Sequence, residues 1–229
     1  MRIGYRSRAI GSLAALVMLG GGALALAGCG SGAHATAAES SLERADLAAV
    51  ARALGAQETS VRSEVLATKA AWPLVIDGLP ADIHKLPRTA IRSATERAAL
   101  LRLPALFEEK QAASLTGPAT SLAGTFRAYY LLAVRGWRLI SAAIEQAEHG
   151  SAAAARFARA NVALYIESIY DAHFGLAQIG KQMPIDYQRL GGASAFGTSL
   201  TPAAVNALAT SYSEANDRLY RHASVRLGS

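Results

Sequence analysis

Cysteine is nearly absent from this chain of 229 residues: Cys29 is the only one. One thiol cannot form an intrachain disulfide and cannot ligate an iron–sulfur cluster by itself. The stability of the folded part must therefore come from side-chain packing. The length suits one domain, or at most two small ones, with room for a sizeable core.

Charge is absent from residues 9 to 28, which directly follow Arg2, Arg6 and Arg8. A basic start followed by an uncharged apolar run is typical of an export signal. The run is also about as long as a membrane-spanning helix, which needs about 20 predominantly apolar residues. It is interrupted by three consecutive glycines at 20–22 and ends in small residues, so we interpret residues 1–28 as a signal peptide.

The signal ends in Leu26-Ala27-Gly28-Cys29, which resembles the lipobox of bacterial lipoproteins. The resemblance covers only the first 29 residues. It implies that the Cys29 thiol receives a diacylglyceryl group, that the signal is cleaved, and that acyl chains such as palmitate anchor the protein on the extracytoplasmic side of the cell membrane. Two chains hold a protein stably, whereas one gives marginal binding. The alternative is an incidental cysteine in an ordinary signal.

Strong charge of either sign is lacking beyond the signal. Three of the 23 basic residues and none of the 17 acidic residues lie in residues 1–28, so 20 basic and 17 acidic residues remain, a net charge of +3. That balance is ordinary for a solvated surface, and no basic patch with interleaved aromatic residues is present. We therefore predict no nucleic-acid partner.

The period-two alternation of a half-buried strand is also missing, whereas apolar residues recur at steps of three and four along most of the chain. We predict a lipidated flexible tether over 29–39 and one all-α domain over 40–229. The domain is predicted to be an antiparallel up-and-down bundle of four long helices plus a shorter C-terminal helix. The predicted helices span 40–71, 88–103 with an extension to 113, a long helix that follows the turn at 115–120 with Pro118 at its first position and runs to about 148, then 152–179 and 201–221.

Helix breakers concentrate between residues 180 and 200, where Gly180, Pro184 and three further glycines predict a connector instead of a continuous helix. If this connector binds a partner, its large side chains Tyr187, Arg189 and Phe196 are the candidate contacts. The alternative is a loop that only closes one end of the bundle.

Recognisable catalytic motifs are lacking: there is no Gly-x-Ser-x-Gly elbow, no phosphate-binding loop after a strand, and no Glu-x-x-His step of the di-iron bundles. His149 lies at the predicted turn and His173 about 22 residues beyond it, roughly 33 Å along a helix, so they cannot share an ion within this hairpin. Glu167 and Asp171 share a helix face that points away from the core. We predict no metal ligands, no cofactor and no catalytic residues.

His173 differs from the other histidines because it lies close to the apolar stripe of its helix. If the hairpin turns near Gly150, His173 faces the region around residue 128, where Phe126, Tyr129 and Tyr130 lie. We predict a largely buried histidine that is either held neutral or hydrogen-bonded to a tyrosine hydroxyl or a backbone carbonyl. Its role is either purely structural or that of a ligand contact beside Tyr130.

The sequence thus predicts a lipid-anchored, non-enzymatic helical protein of the bacterial cell envelope that binds an envelope protein or a small ligand. Candidate ligand contacts are His173, Tyr130, Tyr187 and Arg189. The alternative is a metal-binding or enzymatic bundle whose site is assembled from distant helices, which local spacing cannot reveal.

Overall fold

The computed structural model describes residues 37–77 and 93–227. Within these ranges the regular structure is helical, without strands, which confirms the all-α class. The predicted signal, Cys29 and most of the predicted tether lie outside the described residues, as do residues 78–92. The helices are α1 (Ala37–Ala56), α2 (Glu58–Asp77), α3 (Ala94–Ser114), α4 (Leu122–His149), α5 (Ala152–Arg189), α6 (Gly192–Phe196) and α7 (Pro202–Leu227).

The long helices alternate in direction, and two ion pairs mark the opposite ends of the bundle. At one end, Arg189 near the end of α5 lies 2.8 Å from Glu43 near the start of α1. At the other end, Arg97 near the start of α3 lies 2.7 Å from Glu148 near the end of α4. Helix α5 packs against both α4 and α7, while α3 packs against α2 and α4. The predicted up-and-down bundle is confirmed.

The hairpin between α4 and α5 turns where the sequence predicts it. Gly150 ends α4, and the Ser151 side chain accepts a hydrogen bond from the Ala154 amide at the start of α5. Serine at this position satisfies an amide that has no partner within the helix. A Cβ placed on Gly136 of α4 would lie 3.0 Å from the Tyr165 carbonyl oxygen of α5, so glycine permits close approach of the two helices.

Several predicted helix boundaries are wrong. The first predicted helix is divided at Gln57, whose side chain donates to Ser114 at the end of α3. Helix α2 continues through Pro73 to Asp77, beyond the predicted end at residue 71. Pro104 lies inside α3, so the predicted extension to 113 is continuous with that helix. The C-terminal helix has 26 residues and is longer than α3, which has 21. Helix α1 begins at Ala37, inside the range predicted as a tether.

The predicted connector over 180–200 is also wrong in its first half, because α5 continues through Gly180 and Pro184 to Arg189. Gly180 lies against Ser213 of α7, and Met183 and Tyr187 are buried in the core. The burial of these side chains outweighs the cost of an internal proline, about 3 kcal/mol. The short helix α6 follows, flanked by glycines with positive φ at 191 and 197.

Two apolar clusters form the core, one toward each end of the bundle. The first apolar cluster includes Leu54, Phe126, Leu176, Tyr187 and Val205. The second apolar cluster includes Trp72, Leu101, Trp137, Ile140 and Ile169. No helix in the described part of the chain is both long and apolar enough to cross a bilayer.

Candidate metal centre

Between the two apolar clusters lies a set of buried polar side chains, here called the polar layer. Its members come from four different helices, and none is more than 2% exposed. They are Glu64 and Thr68 of α2, Glu108 and Gln111 of α3, His173 of α5 and Asn216 of α7.

Each member is buried because it occupies, or directly adjoins, a position in the apolar stripe of its helix. On α5, for example, His173 falls between Ile169 and Leu176 at steps of four and three. On α3, Glu108 falls between Ala105 and Ala112 in the same way. A helix that packs along this stripe must carry these polar groups into the core.

His173 links the polar layer through both of its ring nitrogens. Its Nδ1 lies 2.9 Å from Asn216 Oδ1, and its Nε2 lies 3.1 Å from Glu108 Oε1 and 4.0 Å from Glu64 Oε1. Gln111 donates from Nε2 to the other oxygen of Glu64. One histidine nitrogen therefore faces two carboxyl groups in a site that is closed to solvent.

Asn216 determines which histidine nitrogen carries the proton. Its Nδ2 donates to the Tyr212 carbonyl at 2.9 Å, which leaves Oδ1 as the acceptor facing His173. In a neutral imidazole one nitrogen donates and the other accepts. Nδ1 therefore donates to Asn216, and the lone pair of Nε2 points toward Glu108 and Glu64. Metal-binding histidines are commonly oriented in this way by a partner on the other nitrogen.

Burial perturbs the pKa values of all three ionisable groups in the direction that disfavours charge. It raises the pKa of Glu64 to about 8, and the neighbouring Glu108 raises it further. Burial also raises the pKa of Glu108 well above its usual value, although the nearby Glu64 and Trp137 side chains lower it in part. Burial lowers the pKa of His173. At neutral pH the layer alone thus favours a neutral histidine and protonated carboxyl groups.

Glu64, Glu108 and His173 could together hold a metal ion. One ligand atom from each lies within 4.8 Å of the other two. Ligands bound at about 2.0–2.2 Å are separated by roughly 3–3.5 Å, a spacing that His173 and Glu108 already have. Glu64 Oε1, Glu108 Oε2 and Gln111 Oε1 are buried with no hydrogen-bond partner among the described residues. A cation would satisfy these acceptors.

The predicted burial of His173 is confirmed. This burial lowers the pKa of the imidazole, in keeping with the predicted neutral form. The hairpin register is also close to that predicted, because Gly175 packs against the Tyr129 ring. The predicted hydrogen-bond partner is wrong: His173 interacts with Asn216 and Glu108, not with a tyrosine hydroxyl or a backbone carbonyl. Both partners lie on helices other than α4, to which the prediction was limited.

Of the other candidate contacts, only Tyr130 lies near the polar layer. Tyr130 is buried, and burial raises the pKa of its hydroxyl, with smaller contributions from Tyr212, Glu64 and Glu108. Tyr187 donates its hydroxyl to the Leu200 carbonyl at 3.0 Å, and Phe196 stacks on its ring. These two residues close one end of the bundle and are not available to a partner. Arg189 is half-exposed and pairs with Glu43 and Asp186.

Sequence reasoning missed Glu64, Glu108 and Asn216, because it considered ligands only within the α4–α5 hairpin. His149 and Asp171 are indeed exposed, and Glu167 is only half-buried. The sequence signal that could have found them is a charged or amide side chain in an otherwise apolar stripe. On α2, for example, Glu64 lies between Val61 and Thr68 at steps of three and four. No family model, curated protein or solved structure matches the chain at a significant level.

Proposed function

We propose that this protein is a lipid-anchored helical bundle of the bacterial cell envelope that binds one divalent metal ion through Glu64, Glu108 and His173. The observation that carries the proposal is the orientation of His173. Its hydrogen bond to Asn216 turns the lone pair of Nε2 toward two carboxyl groups inside the core. Three acceptors that converge in a fully buried site need donors or a cation between them.

Charge balance favours a divalent ion. Two ionised carboxylates and a neutral imidazole carry a charge of −2, and a buried charge without a partner is strongly destabilising. A divalent ion neutralises the site. In its absence the carboxyl groups remain protonated, as their raised pKa values indicate.

The donor set narrows the choice of metal. Imidazole suits zinc, iron, copper and nickel, whereas carboxylates suit harder ions such as manganese. The polar layer contains no sulfur ligand, which disfavours Cu(I). Zn²⁺, Mn²⁺ and Fe²⁺ are therefore the ions that fit one nitrogen and two carboxylates.

The anchor is supported by the lipobox-like residues that end at Cys29. Helix α1 begins eight residues later, at Ala37, so a short segment would join the bundle to the membrane surface. The Cys29→Ser variant should be lost from the membrane fraction or remain unprocessed, because the thiol is the acyl acceptor. An intact mass showing an unmodified Cys29 in membrane-purified protein would contradict the anchor without affecting the metal site.

The metal site is tested by titrating the full-length protein, purified in detergent and stripped with a chelator, with Mn²⁺ and Zn²⁺ in a calorimeter. We expect one site per chain. Glu64→Gln and Glu108→Gln should each weaken binding by more than about 100-fold, since loss of an outer partner alone costs 10–100-fold. Because glutamine resembles a protonated glutamate in size, both variants should remain folded.

Glu145→Gln is the matched control, because this glutamate of α4 is exposed and lies 3.9 Å from its arginine partner. It should bind metal as the wild type does. Absence of stoichiometric binding in the wild type would overturn the proposal, and so would binding that survives both core substitutions.

A further inference from the structure

Gln111 of α3 is a buried amide that contacts a candidate metal ligand directly. Its side chain is fully buried, and its Nε2 donates to Glu64 Oε2. The amide oxygen, Oε1, is also buried and makes no hydrogen bond with the described residues. Because an acceptor left unpaired in a core costs free energy, this oxygen needs a donor or a cation beside it.

The spacing along α3 places Gln111 on the same side of the helix as Glu108. Residues three apart on a helix are neighbours on one face, and both of these side chains are fully buried. Glu108 lies 3.1 Å from His173 Nε2. Gln111 is bonded to Glu64, whose other oxygen faces the same nitrogen at 4.0 Å. Gln111 therefore belongs to the side chains that surround the proposed metal position.

The hydrogen bond to Glu64 determines which end of the Gln111 amide is free. When a metal ion is bound, Glu64 is ionised, and a carboxylate only accepts hydrogen bonds. The part of the amide that faces Glu64 Oε2 must then be the NH₂ group. Each of the two side chains thus keeps one oxygen without a hydrogen-bond partner among the described residues. A cation between these two oxygens would join the side chains a second time.

The other neutral members of the polar layer have less need of a cation. Asn216 Oδ1 already accepts from His173, on the side of the imidazole away from the carboxyl groups. The Thr68 hydroxyl makes no hydrogen bond with the described residues, but a hydroxyl can donate its own proton, whereas an amide oxygen can only accept. Amide carbonyl oxygens are also metal ligands in their own right.

We infer that Gln111 Oε1 is the fourth ligand of the metal ion and closes its coordination sphere. This inference rests on the proposed metal site and adds a ligand to it. Structural zinc sites have four protein ligands, whereas catalytic sites have three and a position open to water or substrate. With Glu64, Glu108, Gln111 and His173 as ligands, the ion joins α2, α3 and α5, and its role is structural.

The test uses the full-length protein loaded with Co²⁺, whose visible absorption reports its ligands, and azide as a probe for an open position. Azide should leave the wild-type spectrum unchanged, because four side chains fill the coordination sphere. Gln111→Ala removes the fourth ligand and leaves space in its place, so azide should change its spectrum in a saturable way. The Co²⁺ affinity of this variant should fall by at least about 10-fold, the smallest loss expected even for an outer partner.

Gln111→Met removes the amide at nearly constant size, so it should remain folded and show the same loss of Co²⁺ affinity. Gln57→Ala is the matched control. Gln57 is another buried glutamine whose amide oxygen lacks a partner among the described residues, but its Nε2 donates to Ser114 instead of a candidate ligand. The control should bind Co²⁺ as the wild type does and should not respond to azide.

An azide response in the wild type would reveal an open position and overturn the inference, while the metal site would stand. Wild-type Co²⁺ affinity in the Gln111 variants would overturn the fourth ligand, and so would a Gln111→Ala spectrum that azide does not change. If the wild type binds no Co²⁺, the metal site is wrong and the inference fails with it.

Discussion

The apolar clusters and the polar layer are built from the same helices but contribute oppositely to stability. Along α5, Ile169 and Leu176 are fully buried in the second and first clusters, and His173 lies between them, equally buried. Burying the two aliphatic side chains stabilises the fold by about 1.5–3 kcal/mol each. Burying ionisable groups costs free energy unless they are paired. The polar layer is therefore a poor way to stabilise a bundle, which is why we propose that it binds a metal ion.

The largest effect is expected from a cavity in the second apolar cluster. Ile140 is fully buried, so Ile140→Ala should lower the free energy of unfolding by about 2–5 kcal/mol. Denaturant unfolding measures this, and the loss should be the same with and without metal. Metal stoichiometry should not change. A loss that appears only in the metal-bound protein would show that the two regions are not independent.

The next largest effect is a pH dependence of the free energy of unfolding, which should come from the polar layer and not from the apolar clusters. In the metal-free protein, Glu64 has a pKa of about 8, against 4.5 as its ordinary value. The folded state therefore holds a proton that the unfolded state has lost, and stability falls as pH rises toward 8. Between pH 6.5 and 8 the loss contributed by Glu64 should be about 2 kcal/mol, and the raised pKa of Glu108 adds to it in the same direction.

Below pH 6.5 the lowered pKa of His173 acts in the opposite direction, since the unfolded histidine takes up a proton first. The window from pH 6.5 to 8 thus isolates the carboxyl groups. Urea unfolding in the presence of a chelator measures the slope. Glu64→Gln and Glu108→Gln should each remove part of it, because burial raises the pKa of both carboxyl groups, whereas Glu145→Gln should leave it unchanged. A slope that persists in the Glu64→Gln, Glu108→Gln double variant would place the titrating group outside the polar layer.

Asn216 should affect metal binding more than stability. Asn216→Ala removes the acceptor that orients His173, so metal affinity should fall by about 10–100-fold. Asn216→Asp keeps an acceptor and should restore binding. Asn206→Ala, at an exposed position of the same helix, is the control. Nitrogen chemical shifts of His173 in the metal-free protein report the tautomer directly, and a proton on Nε2 in the wild type would contradict the assigned orientation.

The smallest effect is expected at the surface. Arg189→Ala removes two exposed ion pairs, with Glu43 and Asp186. Such pairs are worth less than about 1 kcal/mol each, and they lie at the end of the bundle. Thermal unfolding should change little and metal affinity not at all. A marked loss of metal affinity would instead support the sequence-based prediction that Arg189 contributes to ligand binding.

The sequence allowed the α4–α5 hairpin to be predicted well, because its signals are local. The period of apolar residues and the caps at Gly150 and Ser151 set the register, and the register placed His173 in the core. The prediction that the helix ends before Pro184 was wrong, because the burial of Met183 and Tyr187 depends on residues that are distant in the sequence. Local propensity is a weak guide wherever tertiary packing opposes it.

The candidate metal centre could be predicted only in part. Each polar member adjoins or occupies an apolar stripe, and this much is visible in the sequence. Which stripes face one another is decided by the packing of α2, α3, α5 and α7, and Glu64 and His173 are more than a hundred residues apart. A single sequence carries no signal at that separation.

The central claim is that Glu64, Glu108 and His173 bind one metal ion, and anomalous diffraction tests it most directly. Crystals of the full-length protein grown with Mn²⁺ should show one anomalous peak in the polar layer, about 2.0–2.3 Å from His173 Nε2 and from one oxygen of each glutamate. The peak should be absent in Glu108→Gln. A wild-type map without a peak at these three residues, or with manganese only on surface carboxylates, would contradict the account.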